Sequence, residues 1–342
     1  MNYEGATLLL RDREEKEKGG IISNRTLLAM PHYWQVPAAT EKMAFESMAQ
    51  LSGAYNFDYL GFPWATLIDG LKNSASATWE LLPALRRLSE MRKTRSNRCA
   101  TVAQHIHAAE FIDYYKACGV TDVFWSHARW SQKVIKGVRI HPFPLFPAQT
   151  PIENPTGDIF RKRKYLTNFI GAYNPKVYLT NVRERIFEDE GRSKDILIIK
   201  REAWHFNRAV YEEQMKGVNP DEARLQQEKK FKEEYLNVMK DSTFTLCPSG
   251  SGPNSIRIFE SLALGSIPII LTKGLALPGD LNLWKSCCVI EEDSAEGYHR
   301  AIETVRKMGA EEIQVKLNLI KTLYDQVKPT AYGNLVVSEM GK

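Results

Sequence analysis

The 28 residues from Phe244 to Leu271, FTLCPSGSGPNSIRIFESLALGSIPIIL, constrain this chain more than any other stretch. Thr243 to Cys247 is a short run of β-forming residues that stops at Pro248, and Ser249 to Gly252 follows with little side-chain bulk. Pro253, Asn254 and Ser255 then have the character of a helix start. From Ile256 the apolar residues Ile256, Phe259 and Ala263 recur at helical spacing, with Arg257, Glu260 and Ser261 on the other face. A helix that ends at Gly265 and a buried-type strand Ile267 to Leu271 complete a βαβ unit of the kind that builds doubly wound sheets.

The loop between the strand and the helix is the right size for a phosphate. Ser249, Gly250 and Ser251 offer backbone amides, Asn254 and Ser255 lead into the helix, and Arg257 falls in its first turn, where free amides and the helix dipole already favour an anion. Glu260, one turn on, can accept hydrogen bonds from the two hydroxyls of a ribose. Two plainer readings compete. The loop is nearly GxGxxG, the dinucleotide signature, but its third glycine is Ser255, and the next strand ends in Thr272-Lys273 where an acidic residue would hold an adenosine ribose. Alternatively, Arg257 and Glu260 are a solvated pair at i,i+3, contributing a few tenths of a kcal/mol.

The order Pro248-Ser-Gly, Ser255-Ile-Arg-Ile-Phe-Glu260, Gly265-Ser-Ile-Pro268 and Leu277-Pro278 resembles the nucleotide-sugar half of the exostosin-type glycosyltransferases. Lys164 to Gly171 with Val182-Arg183 is similar to the first strand and following arginine helix of the same domain, and Trp284 to Ile290 to its short strand after the Leu-Pro element, so the resemblance runs over roughly residues 160–325. It implies that Arg183 and Arg257 grip a diphosphate, that Ser255 helps cap it and that Glu260 holds the ribose. The chain departs where Ser249 stands, since animal exostosins tend to carry a basic residue there. The implied fold is α/β, with two Rossmann-like domains in tandem (GT-B), the donor site in the C-terminal domain and a cleft between the domains.

At 342 residues, 43% hydrophobic and 25% charged, the chain has the composition of a globular protein with room for two domains. It shows no 18-residue apolar span and no hydrophobic signal core, and so is expected to be cytoplasmic, with at most peripheral membrane association. Five cysteines without a CxxC pair imply neither a disulfide framework nor a zinc cage. The net charge of +5 gathers in Arg161-Lys-Arg-Lys164, Arg86-Arg87 and Arg92-Lys93, read as solvated surface or as weak attraction to anionic lipid or acidic glycan. These runs lack interleaved aromatic residues, which argues against nucleic acid.

Residues 1–20 read as a polar lead-in, 21–155 as an acceptor-side α/β domain, 156–328 as the nucleotide-sugar domain and 329–342 as a tail. In the first domain, strands are expected at Thr26 to Met30, Phe57 to Leu60, Ala100 to Ala103, Asp122 to Trp125 and Val138 to His141, with helices at Glu41 to Leu51 and Trp79 to Met91. The proline-rich stretch Pro142 to Pro155 is expected to be an extended linker. Helices at Asp221 to Met239, Ala295 to Lys307 and Glu311 to Val327 fill out the second domain.

A catalytic base is expected from a strand end of the first domain, and histidine is the natural base near neutral pH. The candidates are His105, His127, His32 and the carboxylate Asp69, of which one is expected to act. Trp64, Trp125 and Trp130 offer flat faces for acceptor sugars. No DxD triplet is present, and Glu188-Asp-Glu190 and Glu291-Glu-Asp293 read as solvated acid, so metal-independent transfer with inversion from a nucleotide-diphosphate sugar, UDP favoured, is expected, with no further cofactor. The acceptor is expected to be a glycan hydroxyl in polysaccharide or surface-glycan assembly. The alternatives are a non-catalytic nucleotide-sugar or glycan-binding protein of the same fold and an NAD(P)-dependent oxidoreductase.

Overall fold

A computed structural model describes residues 20–73, 78–150, 161–202 and 222–342. They fall into two Rossmann-like α/β units in tandem, one running to Phe146 and taking in Pro329–Lys342, the other holding most of Pro147–Lys328. The expected lead-in before Gly20, the boundary at 155 and the last part of the expected linker lie outside the described residues.

The first unit contains β1 (Ile22–Ser23), β2 (Leu27–Ala29), α1 (Thr40–Gln50), β3 (Asp58–Gly61), α2 (Trp64–Asn73), α3 (Thr78–Arg92), β4 (Cys99–Ala103), α4 (Ile112–Ala117), β5 (Asp122–Trp125), β6 (Val134–Ile135) and β7 (Val138–Pro142). Its sheet runs β1-β2-β3-β4-β5-β7-β6; β2, β3, β4, β5 and β7 are parallel, and the short edge strands β1 and β6 are antiparallel. Strand alternation places β4 against helices on both faces. Ala100 and Val102 join a core with Ala44, Phe45 and Met48 of α1. Thr101 points the other way, where its hydroxyl accepts from Trp64 Nε1 at 2.8 Å and the Trp64 ring lies 4.3 Å from Tyr115.

The second unit contains β8 (Tyr165–Gly171), α5 (Val182–Glu188), β9 (Ile196–Lys200), α6 (Glu222–Lys240), β10 (Ser242–Pro248), α7 (Ile256–Ala263), β11 (Ile267–Thr272), α8 (Leu281–Cys287), β12 (Val289–Glu292), α9 (Ala295–Lys307) and α10 (Ala310–Val327). Its sheet, β12-β11-β10-β8-β9, is parallel throughout. The chain leaves β8 toward β9 and returns on the other side as β10, so the strand order reverses between β8 and β10. In open parallel sheets, ligands bind outside the carboxyl ends of the strands at such a reversal.

Two expectations need correction. Residues 329–342 are no tail: α11 (Tyr332–Met340) buries Tyr332, Val336 and Met340 in the first unit's core, where Tyr332 meets Phe143 edge-on at 4.9 Å and Gly333 N–H donates to Ser47 Oγ at 2.9 Å. A Cβ on Gly333 would stand 2.7 Å from Ser47 Oγ, so this close approach requires glycine. Nor is Pro142 onward a free linker, because Phe143 and Leu145 are buried. Among the described residues, no helix is long and apolar enough to cross a membrane, and all five cysteines are buried thiols.

Candidate functional site

The expected βαβ unit forms as β10, α7 and β11, and Gly265, at φ 71°, turns the chain out of the helix. Ser255 sits at the N-cap with an extended backbone; its hydroxyl makes no capping bond, while its N–H donates to Asn254 Oδ1 at 2.8 Å. The loop closes on itself: Gly250 N–H donates to Gly252 O and Asn254 O at 3.1 and 3.3 Å, and Leu179 N–H donates to Gly250 O. The Gly250 amide is thus committed within the loop, whereas Ser251 is exposed.

The two arginines meet where β8 ends. A Cβ built on Gly171 would lie 3.2 Å from Arg257 Nη2 and 3.4 Å from Arg183 Nη1, so both guanidiniums flank one glycine. Arg257 donates to Ile170 O at 2.6 Å and lies over the Phe169 ring at 4.7 Å. Arg183, only 6% exposed, donates to Ser249 O and Ala172 O at 3.1 Å each and stacks on Tyr178 at 4.1 Å. All these anchors are neutral carbonyls and rings. Among the described residues, no carboxylate comes within ion-pairing distance of either guanidinium. Burial, and then the charge of Arg257, pull Arg183 down to about 10. Two cations with no ion-paired carboxylate, Asp293 and Glu260 acting on them only from further away, give the carboxyl edge of this parallel sheet a charge that can attract an anion.

Glu260 is not on a solvated face. It is 1% exposed, accepts from Gln149 N–H at 3.1 Å and Tyr235 Oη at 2.6 Å, and burial raises its pKa against those bonds. A carboxylate has roughly four lone-pair positions, so these two bonds leave about two unfilled.

Asp293, read from sequence as solvated acid, is corrected to 4% exposed. It follows β12 and accepts hydrogen bonds from the hydroxyls of Ser249 and Thr180. Its other oxygen, Oδ1, is buried without a hydrogen-bond partner among the described residues, and burial raises its pKa. The Ser249 hydroxyl is thus tied to Asp293 while its carbonyl holds Arg183. An acidic residue just past a parallel strand was the available signal for Asp293; the two glutamates before it, Glu291 and Glu292, concealed it. Among the described residues, no three His, Cys, Asp or Glu side chains are placed to hold a metal.

In the first unit, two of the four base candidates meet. His105 Nε2 lies 3.1 Å from Asp69 Oδ1, and Gln35 Nε2 donates to Asp69 Oδ2 at 2.6 Å. The backbone N–H of His107 donates to His105 Nδ1 at 3.1 Å, which assigns the His105 proton to Nε2 and points it at Asp69. Both ring nitrogens of His105 are therefore committed. His127 is buried, and burial, followed by the charges of His105 and Arg129, pushes it down to about 3. His32, after β2, is buried too. Beside the pair, Glu41 accepts backbone N–H bonds from Ala65 and Gln104, and burial pushes it up to about 8. Trp64 and Trp125 are core residues whose indole N–H groups bond to Thr101 and His105 O, which removes them as sugar platforms; Trp130 is 54% exposed.

Comparison with known proteins bears on both units. The exostosin GT47 domain matches residues 91–305, more than half of the chain. Exostosin-1c of Danio rerio is 32% identical over 97 residues, 27% of this chain and 12% of that protein. Ribitol-5-phosphate xylosyltransferase 1 of Danio rerio is 28% identical over 126 residues, 35% of this chain and 24% of that protein. These matches thus span a quarter or less of the relatives' own length. Among solved structures, the N-terminal domain of Candida albicans trehalose-6-phosphate phosphatase aligns over 86% of this chain and 72% of its own at 10% identity, with a TM-score of 0.44. From the extent of the domain match, the chain belongs to the exostosin GT47 family.

Proposed function

We propose that the chain is a glycosyltransferase that moves a sugar from a nucleotide-diphosphate donor, UDP-linked, to a hydroxyl of a glycan acceptor, with inversion. The observation that carries the reading is the convergence of Arg183 and Arg257 on Gly171 with no carboxylate between them. Their mutual repulsion is relieved by the diphosphate and by the further negative charge that it gains as the sugar departs. Ser251, Asn254 and Ser255 frame the same anion, Ser249 acts through its carbonyl hold on Arg183, and Glu260 takes the ribose hydroxyls on its remaining lone pairs. Two fixed cations and the α7 N-terminus supply the charge that a divalent metal gives other transferases, so the reaction is proposed to run without one.

Of the base candidates, Asp69 is the one proposed to take the acceptor proton. His105 has both nitrogens engaged, and His127 is too weakly basic. His105 and Gln35 then serve to orient Asp69. The deprotonated hydroxyl attacks the anomeric carbon as the C–O bond to the diphosphate breaks. The test is transfer or slow donor hydrolysis by the purified chain against a panel of nucleotide sugars, with chelator present and with Arg257→Met beside the wild type. Activity that survives Arg257→Met unchanged, or a product of retained anomeric configuration, contradicts the reading.

A further inference from the structure

A second basic recess lies in the first unit, at the edge of the sheet opposite to His105, where β3, β4 and β5 begin. Of the basic runs in the sequence, Arg161-Lys-Arg-Lys164 is partly spent on structure: Arg163 donates to Lys240 O, Ser242 O and Gly265 O, and Arg161 pairs with Asp241 at 2.6 Å. Arg86 is exposed and paired with Glu90. Arg92-Lys93 is different. With Arg95 and Lys116 it surrounds a recess of about 280 Å³, completed by Ser89, Ala117, Cys118 and Gly119, with no carboxylate in its lining. That volume is near the lower end of the roughly 300–1,000 Å³ typical of small-ligand sites.

The recess is built, not incidental. Arg92 is 6% exposed and held by Asp58 Oδ2 at 3.3 Å and by the carbonyls of Arg95 and Asn97. Its Nε is buried with no hydrogen-bond partner among the described residues. Gly119, at φ 67°, leaves room beside it; a Cβ there would stand 3.2 Å from Arg92 Cγ. The Cys99 thiol, pushed up to about 11 by burial against the pull of Arg92, is neutral and takes none of the charge. Arg95 shares Asp58 with Arg92 at 3.3 Å and also donates to Arg25 O, Asn24 O and Ser23 Oγ, so it brings charge more than free donors, while Lys93 and Lys116 stand exposed on the rim.

The charges do not cancel. Four cations line the recess, and the one carboxylate paired with any of them, Asp58, is shared by Arg92 and Arg95, which leaves three in surplus. The C-termini of α3 and α4, tied together by Ser89 Oγ donating to Ala117 O, end here, each equivalent to about half a negative charge. About two positive charges remain, the complement of a dianion.

We propose that this recess is a binding site for a phosphate monoester, separate from the donor pocket: Arg92 at the floor, Arg95 at the wall, and Lys93 and Lys116 closing over the outer oxygens. Two sources offer this group, a soluble phosphate and the headgroup of phosphatidic acid. The test compares the wild-type chain with Lys93→Glu/Lys116→Glu, two exposed positions whose exchange is checked by circular dichroism. Both proteins carry the donor pocket, so the difference between them isolates the recess. Titration with inorganic phosphate against chloride at equal ionic strength is expected to show binding weakened at least about tenfold in the variant. Sedimentation with phosphatidylcholine vesicles, with and without phosphatidic acid, then separates the sources. Phosphatidic-acid-dependent pelleting lost in the variant assigns the headgroup; phosphate binding without pelleting assigns a soluble ligand. Equal phosphate affinity in the two proteins, with equal pelleting, overturns the proposal.

Discussion

Arg257→Met is the sharpest probe of the donor pocket, because it removes one charge and keeps a linear apolar stem against Phe169. In the free protein two effects oppose each other. The bond to Ile170 O is lost, at about 1–3 kcal/mol for a carbonyl left unpaired. Arg183 is relieved in return: its fall from 12.5 to about 10 corresponds to about 3 kcal/mol against the charged form, at 1.36 kcal/mol per unit, and the charge of Arg257 is the second cause after burial. The unliganded variant is therefore expected to stay within about 2 kcal/mol of the wild type. For a bound diphosphate there is no such compensation. Losing a charge-assisted contact costs about 1.5–3 kcal/mol, or about 10- to 150-fold in affinity. With uridine diphosphate at about 100 times the wild-type Kd, the wild type gains about 2.7 kcal/mol, and a variant weakened about 100-fold keeps about 0.4. Thermal unfolding reads this as a shift of about 5–10 °C against about 1 °C, using 2–4 °C per kcal/mol for a unit of this size. Equal shifts in both proteins would refute the pocket, as would a variant badly destabilised when free yet unimpaired in its ligand response.

Asp69→Asn is expected to lower kcat by about 10²–10⁴-fold, the usual contribution of a general base, with the KM for donor nearly unchanged; a rise in donor KM at constant kcat would assign Asp69 elsewhere. Two buried groups shape the pH dependence of stability in opposite directions. Glu41, raised to about 8, binds a proton in the folded chain that the unfolded chain releases near 4.5, so its contribution is lost as pH rises between those values. His127, lowered to about 3, stays neutral when folded while the unfolded residue protonates near 6.5, so stability falls as pH drops from there toward 3. Each is worth up to about 5 kcal/mol at 1.36 kcal/mol per unit, and urea unfolding across pH should peak near the middle, with Glu41→Gln flattening the alkaline limb and His127→Gln the acid limb. Tyr332→Ala empties a core position beside Phe143 and is expected to destabilise by about 3–5 kcal/mol in urea unfolding.

The sequence was most readable where local chemistry and tertiary packing demand the same residues. β10, α7 and β11 follow from an apolar run, a glycine-rich loop and 3.6-residue spacing, and β5 and α9 occupy the residues expected of them. The joint placement of Arg183 and Arg257 was legible only through family resemblance, since 74 residues separate them and nothing local announces that both guanidiniums reach Gly171. What escaped was set by contacts made far along the chain. The burial of Asp293 depends on hydroxyls from Thr180 and Ser249, and Phe143 reads as linker until Tyr332 arrives against it. The edge strand β9, four apolar residues between Asp195 and Lys200, was short enough to pass unnoticed.

The return of α11 to the first unit bears on how the chain is made. Tyr332, Val336 and Met340 leave the ribosome after residues 147–328, yet they fill the core laid down by Leu27, Phe45 and Tyr59. The first unit therefore keeps an open apolar cleft until the second, drawn from Pro147–Lys328, already has its strands and helices in hand. Domains ordinarily finish in the order they emerge. Here the order of completion is inverted, and the stretch of Phe143 awaiting Tyr332 is the surface that a nascent-chain chaperone would have to shield.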